Sequence, residues 1–295
     1  MRWAWPFTGR AGSDRRKQGS KSVTGIAGPD FLCIGAHKAG TTWLYQQLDS
    51  HPDFWMPPVK ELHYFDQLSR VQRAAHPRCR DERDRRFLER LKSLSAEPGI
   101  DLENYGRLFE SKASLFSGDI SPNYSTLSNE VIRETVGYFS NLKVIFLARD
   151  PVERVWSHLS MEVHYRQIEA FDATDINEVN RNLLRRGIVL RSYPSAVVAR
   201  WKRYVDPERF RVYFFDDLQN NPAELRRSAL RFLGADPDKP GSRLSADYNS
   251  WTKMEKLPLT NKVRSHLARH FKKELKTCAA RLGGPARDWP ARYGF

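Results

Sequence analysis

The sequence has few cysteines, and it lacks a long apolar run near its start. Its three cysteines, Cys33, Cys79 and Cys278, are odd in number, widely spaced and without a CxxC pair. This pattern favours reduced thiols in a cytoplasmic protein, with a single disulfide as the alternative. No apolar stretch of about 7–15 residues follows the basic, aromatic N-terminus, so neither a signal peptide nor a transmembrane anchor is predicted.

Acidic residues are too few to balance the basic ones. The chain has 49 Lys and Arg against 35 Asp and Glu, which gives a formal net charge of +14. An anionic partner is therefore expected: a nucleotide, an acidic glycan, nucleic acid or a membrane surface. Charge by itself does not choose among them.

Length and composition indicate one globular domain. The chain has 295 residues, of which 40% are hydrophobic and 12% aromatic, enough for a sizeable core. Residues 1–28 are predicted to be a flexible basic leader, either disordered or in peripheral contact with a membrane. Residues 29–295 are predicted to form the domain, with a charged, solvated insertion at about 68–96 that carries one helix. The sequence indicates no particular oligomeric state.

Short apolar runs alternate with amphipathic segments after residue 29. The predicted strands are 31–34, 113–116, 144–147 and 211–215. The predicted helices are 41–49, 82–95, 128–139, 151–166, 192–204, 221–233 and 260–282. This order predicts an α/β fold of the P-loop-like three-layer type, in which helices cover both faces of a mostly parallel sheet. Ligands of such sheets bind at the carboxyl ends of the strands.

The segment FLCIGAHKAGTTWLY, residues 31–45, reads as a strand, a glycine-bounded loop and a helix. Such a loop directs backbone N–H groups and the positive end of a helix dipole at a phosphate. The pattern of triphosphate-binding loops requires a lysine directly after the second glycine. Here Thr41 occupies that position, and the lysine is Lys38, inside the loop.

A second strand-turn-helix segment, VIFLARDPVERVWSHL, spans residues 144–159. A magnesium-dependent phosphoryl-transfer enzyme would typically end this strand with a metal-binding Asp. Here the first polar residue is Arg149, a fixed cation suited to phosphate, and Ser157 follows two turns into the helix. Arg149 could instead pair with Asp150 or another carboxylate and cap the strand. Together with the loop, it predicts a nucleotide that carries phosphate at two places.

These residues resemble the sulfotransferase family. IGAHKAGTTWL resembles the family's 5′-phosphosulfate-binding loop, and ARDPVERVWSHL resembles its 3′-phosphate-binding segment. PPVKELHYFD at 57–66 and GDISPNYS at 118–125 resemble segments of carbohydrate sulfotransferases of the heparan-sulfate type. The resemblance implies 3′-phosphoadenosine 5′-phosphosulfate (PAPS) as donor, no metal, and a hydroxyl acceptor, expected to be a glycan or glycolipid of a bacterial cell.

The resemblance also implies roles for residues around the donor. Lys38 would contact the oxygen that bridges phosphate and sulfate, and Arg149 and Ser157 would hold the 3′-phosphate. The 5′-phosphate would be held by the backbone and hydroxyl groups of Ala39, Gly40, Thr41, Thr42 and Trp43. Lys253 and Lys256 match a basic segment that the family often folds over the nucleotide, although a solvated charge run is the alternative.

Glu61 matches the family's general base toward the acceptor hydroxyl. Burial near Phe65 and Trp55 would tune this carboxylate upward in pKa. The alternative is an ion pair with an arginine or with Lys60, which is itself a candidate acceptor contact. His63 is the second candidate base, because on an extended strand it would share the face of Glu61.

The acceptor side departs from the family at one position. Ile120 stands where related glycan enzymes often carry a lysine, which argues against a strongly sulfated or uronate-rich acceptor. Asp119 and Tyr124 would instead hydrogen-bond a neutral sugar or another hydroxyl compound, although Tyr124 could equally be a core aromatic. His266 and His270 have a spacing that could bind metal, but no third ligand is evident and no metal site is predicted.

Two rival interpretations remain from the sequence. One is a P-loop nucleotide kinase or hydrolase, against which Thr41 and Arg149 argue. The other is a basic module that binds nucleic acid or an anionic membrane without catalysis. No nucleic-acid-binding signature supports it, and the chain alternates its charges instead of segregating them.

Overall fold

The computed structural model describes residues 28–66, 78–94, 99–185, 187–240, 244–248 and 256–295. All of the predicted leader except Gly28 lies outside these residues, and so does Lys253. Much of the predicted insertion at 68–96 also lies outside them. No helix within the described ranges is long and apolar enough to cross a lipid bilayer.

A four-stranded parallel sheet forms the centre of the molecule, in the order β2-β1-β3-β4. Its strands are β1 (Phe31–Cys33), β2 (Gly118–Ile120), β3 (Lys143–Ala148) and β4 (Phe210–Phe214). Every residue of β1 is buried, as expected for a strand covered on both faces. The sheet and the surrounding helices confirm the predicted α/β, P-loop-like fold.

The predicted strand at 113–116 is wrong. Those residues follow a short 3₁₀ helix, and only Phe116 forms a bridge, with Phe54. The strand lies instead at Gly118–Ile120, where a Cβ at residue 118 would be 2.4 Å from the carbonyl oxygen of Phe31. The close approach of two backbones requires this glycine, and a glycine followed by an aspartate is a poor match to an apolar strand pattern.

Ten α-helices occur in the described ranges. They are α1 (Thr41–Asp49), α2 (Glu82–Leu94), α3 (Leu102–Arg107), α4 (Asn129–Tyr138), α5 (Pro151–His164), α6 (Ile176–Arg185), α7 (Pro194–Trp201), α8 (Phe215–Asn220), α9 (Pro222–Leu233) and α10 (Asn261–Leu282). Seven of them correspond to the predicted helices, whereas α3, α6 and α8 were not predicted. The side chains of Ser128, Asp150 and Thr260 cap α4, α5 and α10, in keeping with the preference for such residues at helix starts.

Helix α2 is the charged helix predicted within the insertion. Its outer face is solvated, but Phe87, Leu91 and Leu94 are buried in the core. The indole of Trp55 donates to Asp84 at 3.1 Å and joins this helix to the chain that follows α1. Helix α2 is therefore packed against the domain along one face, and it is less solvated than its composition suggests.

Candidate active site

The loop at residues 34–40 leads from β1 directly into α1. Its backbone amides at Ile34 and Ala36 donate to carbonyls of β3 at 3.0 and 2.8 Å, which holds the start of the loop in the sheet. Gly40 has a left-handed φ of 95°, and a Cβ there would lie 2.5 Å from Cδ2 of Leu218. Only glycine fits such a position without strain. The loop thus wraps the N-terminus of α1, whose first N–H groups lack partners within the helix.

The predicted 5′-phosphate residues occupy this turn. Ala39, Thr41 and Trp43 are buried, whereas Gly40 and Thr42 are partly exposed. The indole of Trp43 donates to the carbonyl oxygen of Ala246 at 2.7 Å. Its side chain therefore packs into the domain, and only its backbone amide is a candidate for binding a phosphate.

Arg149 lies at the carboxyl end of β3, beside the loop. Its Nη1 donates to the carbonyl oxygen of Lys38 at 2.5 Å, and its guanidinium carbon lies 4.1 Å from the ring centre of Phe215. The residue is only 8% exposed, and its Nε has no hydrogen-bond partner within the described part of the chain. A buried donor without a partner is costly and indicates a place where a ligand atom binds.

Asp150 does not pair with Arg149, so the capping alternative is not supported. Its Oδ1 accepts from the amide of Val152 at 2.9 Å and caps α5, while its Oδ2 accepts from the hydroxyl of Tyr293 at 2.9 Å. Ser157 lies further along the same helix, buried. Its predicted contact with a 3′-phosphate stays a prediction.

Lys38 lies among several other cations. Burial lowers the pKa of its ammonium to about 8, and the charges of Arg149, Lys256, Arg154 and Lys60 contribute to the shift. Four cations near one lysine repel one another in the free protein, so an anion that binds between them gains a large electrostatic stabilisation. Lys38 of the loop and Arg149 and Arg154 of the second motif therefore lie close enough to influence one another.

A cavity of about 260 Å³ opens beside Arg149. Its lining includes four cations, Arg149, Lys256, Arg264 and Arg292. The structure thus places Lys256, an exposed residue, at this cavity, and its predicted contact with the nucleotide stays a prediction. Sequence reasoning missed Arg264 and Arg292 because they lie more than a hundred residues after Arg149, and no local motif connects them to it.

Glu61, Lys60 and His63 form a connected group next to the loop. Lys60 donates to Oε1 of Glu61, Nε2 of His63 lies 3.4 Å from Oε2 of Glu61, and Nδ1 of His63 lies 2.8 Å from Oδ2 of Asp66. The predicted extended strand is absent: Glu61 and His63 have φ values of 67° and 54°. Two left-handed residues, and not the alternation of a strand, bring them together.

The electrostatics of this group differ from the expected upward tuning of Glu61. Burial would raise the pKa of the Glu61 carboxyl, but Lys60, His63 and His37 outweigh it and hold that pKa well below its usual range. Burial would likewise lower the pKa of His63, but hydrogen bonds to Asp66 and Glu61 raise it to about 10. At neutral pH Glu61 is ionised and His63 is an imidazolium, which has no lone pair to accept a proton.

The structure argues against the predicted acceptor contacts of Asp119 and Tyr124. Their exposed fractions are 1% and 0%. Asp119 accepts hydrogen bonds from the hydroxyls of Tyr124, Ser121 and Tyr105 at 2.7, 2.6 and 3.0 Å, so the carboxylate is satisfied inside the core. Burial raises its pKa, and these hydrogen bonds oppose that shift. Tyr124 is the core aromatic of the alternative interpretation, and the neighbouring Ile120 is buried as well.

His37 and Arg154 are site residues that sequence reasoning did not single out. Nε2 of His37 lies 2.6 Å from Oδ1 of Asn123, and its ring stacks on His158 with centres 5.5 Å apart. Burial lowers the pKa of His37 to about 3, so its ring is neutral. Arg154 is buried on α5, where burial lowers its pKa to about 9. The only sequence signal was position: His37 precedes Lys38, and Arg154 follows Arg149 by five residues.

A model of the sulfotransferase family matches residues 29–239, which is well over half of the chain. The chain belongs to the sulfotransferase family. The predicted enzyme class, a PAPS-dependent sulfotransferase, is thereby confirmed. The match argues against the two rival interpretations, a P-loop kinase or hydrolase and a non-catalytic basic module. The match ends before α10, so Lys256, Arg264 and Arg292 lie outside it.

Solved structures of other sulfotransferases share the fold. The sulfotransferase of Alicyclobacillus acidocaldarius is 21% identical with a TM-score of 0.63, and the match covers 90% of this chain and 99% of that one. The sulfotransferase domain of the Synechococcus PCC 7002 olefin synthase is 16% identical with a TM-score of 0.55, covering 95% and 99%. The sulfotransferase domain from the curacin biosynthetic pathway is 17% identical with a TM-score of 0.51, covering 83% and 98%. A comparison with the curated proteins finds no match.

Within the described ranges, no group of three or more His, Cys, Asp or Glu side chains is arranged to hold a metal ion. His266, one of the two histidines with metal-like spacing, has its Nε2 3.0 Å from Oδ1 of Asn180. His266 therefore forms a hydrogen bond with the Asn180 side chain, which is a structural role that needs no metal.

Proposed function

We propose that this sulfotransferase moves a sulfuryl group from PAPS to a hydroxyl of a carbohydrate or glycolipid, without a metal. The observation that carries the proposal is the hydrogen bond between Arg149 and the carbonyl of Lys38. It links the phosphate loop to the end of β3, and the Nε of Arg149, which has no partner among the described residues, is free to donate to a phosphate oxygen. A donor with phosphate on both sides of its ribose matches two such elements.

In the proposed reaction, the acceptor oxygen forms a new bond to sulfur while the bond from sulfur to the bridging oxygen breaks. Adenosine 3′,5′-bisphosphate leaves with the electron pair of that bond. Lys38 neutralises the charge that develops on the bridging oxygen, and the amides at the start of α1 hold the 5′-phosphate. A sulfuryl group carries less charge than a phosphoryl group, so a lysine and oriented amides suffice in place of Mg²⁺.

Glu61 is the proposed acceptor of the hydroxyl proton, and Lys60 is a proposed acceptor contact. The low pKa of Glu61 makes it a weak base, but the carboxylate is in its proton-accepting form throughout the neutral range. His63, with its pKa near 10, is protonated there and cannot serve. We assign His63 the role of holding the Glu61 carboxylate in place, together with Lys60.

The donor part of the proposal predicts how nucleotides bind. Calorimetric titration should show binding of adenosine 3′,5′-bisphosphate without Mg²⁺ and weaker binding of adenosine 5′-monophosphate. Because Arg149 would make a charge-assisted contact to the 3′-phosphate, Arg149→Ala should weaken bisphosphate binding about 10- to 100-fold and reduce that preference. The matched control is Arg133→Ala, an exposed arginine on α4. A clear preference of the wild-type protein for Mg-ATP would contradict the proposal.

The acceptor part predicts the class of product. Its support is the resemblance of residues 57–66, which include Lys60 and Glu61, to carbohydrate sulfotransferases of the heparan-sulfate type. Incubation of the enzyme with sulfur-labelled PAPS and a bacterial extract should label a glycan or glycolipid, identified after chromatography by its sensitivity to glycosidases. A labelled peptide tyrosine or small phenol would overturn the carbohydrate assignment and leave the sulfotransferase assignment intact.

A further inference from the structure

The residues that follow α10 extend to the cavity beside Arg149. Trp289 is fully buried, with its ring centre 6.0 Å from that of Phe214, and its indole donates to Oδ2 of Asp216 at 3.3 Å. We call residues 289–293 the C-terminal clasp. Its next two polar side chains, Arg292 and Tyr293, line the cavity beside Arg149. The clasp is thus anchored in the core at one end and forms a wall of the site at the other.

The guanidinium of Arg149 stacks on the ring of Phe215. The clasp contacts the residue that follows each of these two. Tyr293 donates to Asp150, the residue after Arg149, at 2.9 Å. Arg292 donates to Asp216, the residue after Phe215, and its Nη1 lies 3.7 Å from Oδ2 of Asp150. The clasp therefore links the segments that follow β3 and β4, close to Arg149.

Arg292 also neutralises negative charge at the wall of the cavity. Asp150 and Asp216 are both buried carboxylates at the cavity wall, and they would repel a phosphate unless neutralised. Burial raises the pKa of Asp150 to about 6, while the hydrogen bond from Tyr293 and the charge of Arg292 oppose that shift. Asp150 is therefore ionised at neutral pH. Arg292 lies against both carboxylates, lines the cavity and is itself exposed.

We propose that the clasp is part of the donor site: Arg292 contributes positive charge to the binding of the 3′-phosphate, and Tyr293 positions Arg149 through Asp150. The inference rests on the proposed function, because it takes this cavity as the place of the 3′-phosphate. It adds residues that lie outside the span matched by the family model, which ends at residue 239. Selectivity for the donor would then depend on a C-terminal segment as well as on the phosphate loop and on Arg149.

The test compares two nucleotides that differ only in the 3′-phosphate. Arg292→Ala should weaken the binding of adenosine 3′,5′-bisphosphate about five- to twentyfold and leave the binding of adenosine 5′-monophosphate nearly unchanged. Arg292→Lys should recover part of the loss. The matched control is Arg287→Ala, an exposed arginine just before the clasp, which should bind both nucleotides as the wild type does. Thermal unfolding of each variant reports whether the fold is retained.

Tyr293→Phe provides a second, milder variant should Arg292→Ala fail to fold. It removes only the hydroxyl that holds Asp150, and it should raise KM for the donor severalfold while KM for the acceptor stays unchanged. Equal weakening of both nucleotides, or no change in either variant, would overturn the inference. If the wild-type protein does not bind the bisphosphate at all, the proposed function itself fails. If the wild-type protein binds the bisphosphate and both variants bind it equally well, only the role of the clasp is disproved.

Discussion

Replacing Lys38 by alanine is expected to lower kcat roughly a hundredfold or more, the scale of losing one electrostatic contact made to developing charge. The structure holds this residue from its backbone, because Arg149 donates to its carbonyl oxygen. Its side chain is therefore directed from a fixed position in the loop. Binding of intact PAPS should weaken much less than kcat falls, since the contact with the bridging oxygen strengthens mainly as the bond to sulfur breaks. Steady-state assays and calorimetry measure the two effects separately.

Lys38→Arg distinguishes charge from shape in this prediction. Burial lowers the pKa of Lys38 to about 8, so the ammonium is present below that pH and is lost above it. For the wild type, kcat/KM for the donor should fall as pH rises through about 8, whereas in Lys38→Arg the fall should move to higher pH because a guanidinium stays charged. Lys202→Ala, at an exposed site after α7, is the control. Wild-type turnover in Lys38→Ala would remove this residue from the mechanism.

Replacing Glu61 by glutamine should lower kcat by about 10²- to 10⁴-fold, the range attributed to general base catalysis. Glutamine keeps the shape of the side chain but cannot accept the hydroxyl proton. Donor affinity should change little, because the proposed partner of Glu61 is the acceptor hydroxyl, and its contacts within the protein are with Lys60 and His63. Single-turnover rates with a saturating donor give the chemical step directly.

Asp66→Asn is the matched variant for Glu61→Gln. It neutralises the other carboxylate that contacts His63 and should have a far smaller effect on kcat, because Asp66 takes no proton from the acceptor in the proposed reaction. The same measurement on His63→Gln separates the two candidate bases. A larger loss in His63→Gln than in Glu61→Gln would reverse the assignment and make the histidine the base.

Local patterns predicted much of the donor side. The apolar run before the loop, the glycine at residue 40 and the capping Asp150 before Pro151 each specify a strand end or a helix start through interactions within a few residues. Such interactions involve only residues close together in the sequence. The predicted bounds of β1, α1, β3 and α5 therefore agree with the observed bounds to within a few residues. Lys38 and Arg149 follow from those positions, because parallel strands end at the same edge of a sheet.

Predictions for the acceptor side depended on contacts between distant segments, and there the sequence was a weaker guide. Asp119 and Tyr124 resemble binding residues in a linear motif, but each satisfies the other inside the core. The upward tuning expected for Glu61 assumed apolar neighbours. Its actual neighbours include two cations, Lys60 and His63, brought close by a left-handed backbone that residue types do not reveal.

The sequence by itself determined the class of the protein and the position of its phosphate loop, because a strand, a loop and a helix start are local structures. It also placed the displaced lysine and the arginine that replaces a metal-binding carboxylate. Only the tertiary structure decided which charges meet. The bond from Arg149 to Lys38, the protonation of His63 and the approach of Arg292 and Tyr293 to Asp150 all join segments far apart in the chain. Electrostatic energies depend on distance in space and on burial, and neither quantity can be read from the order of the residues.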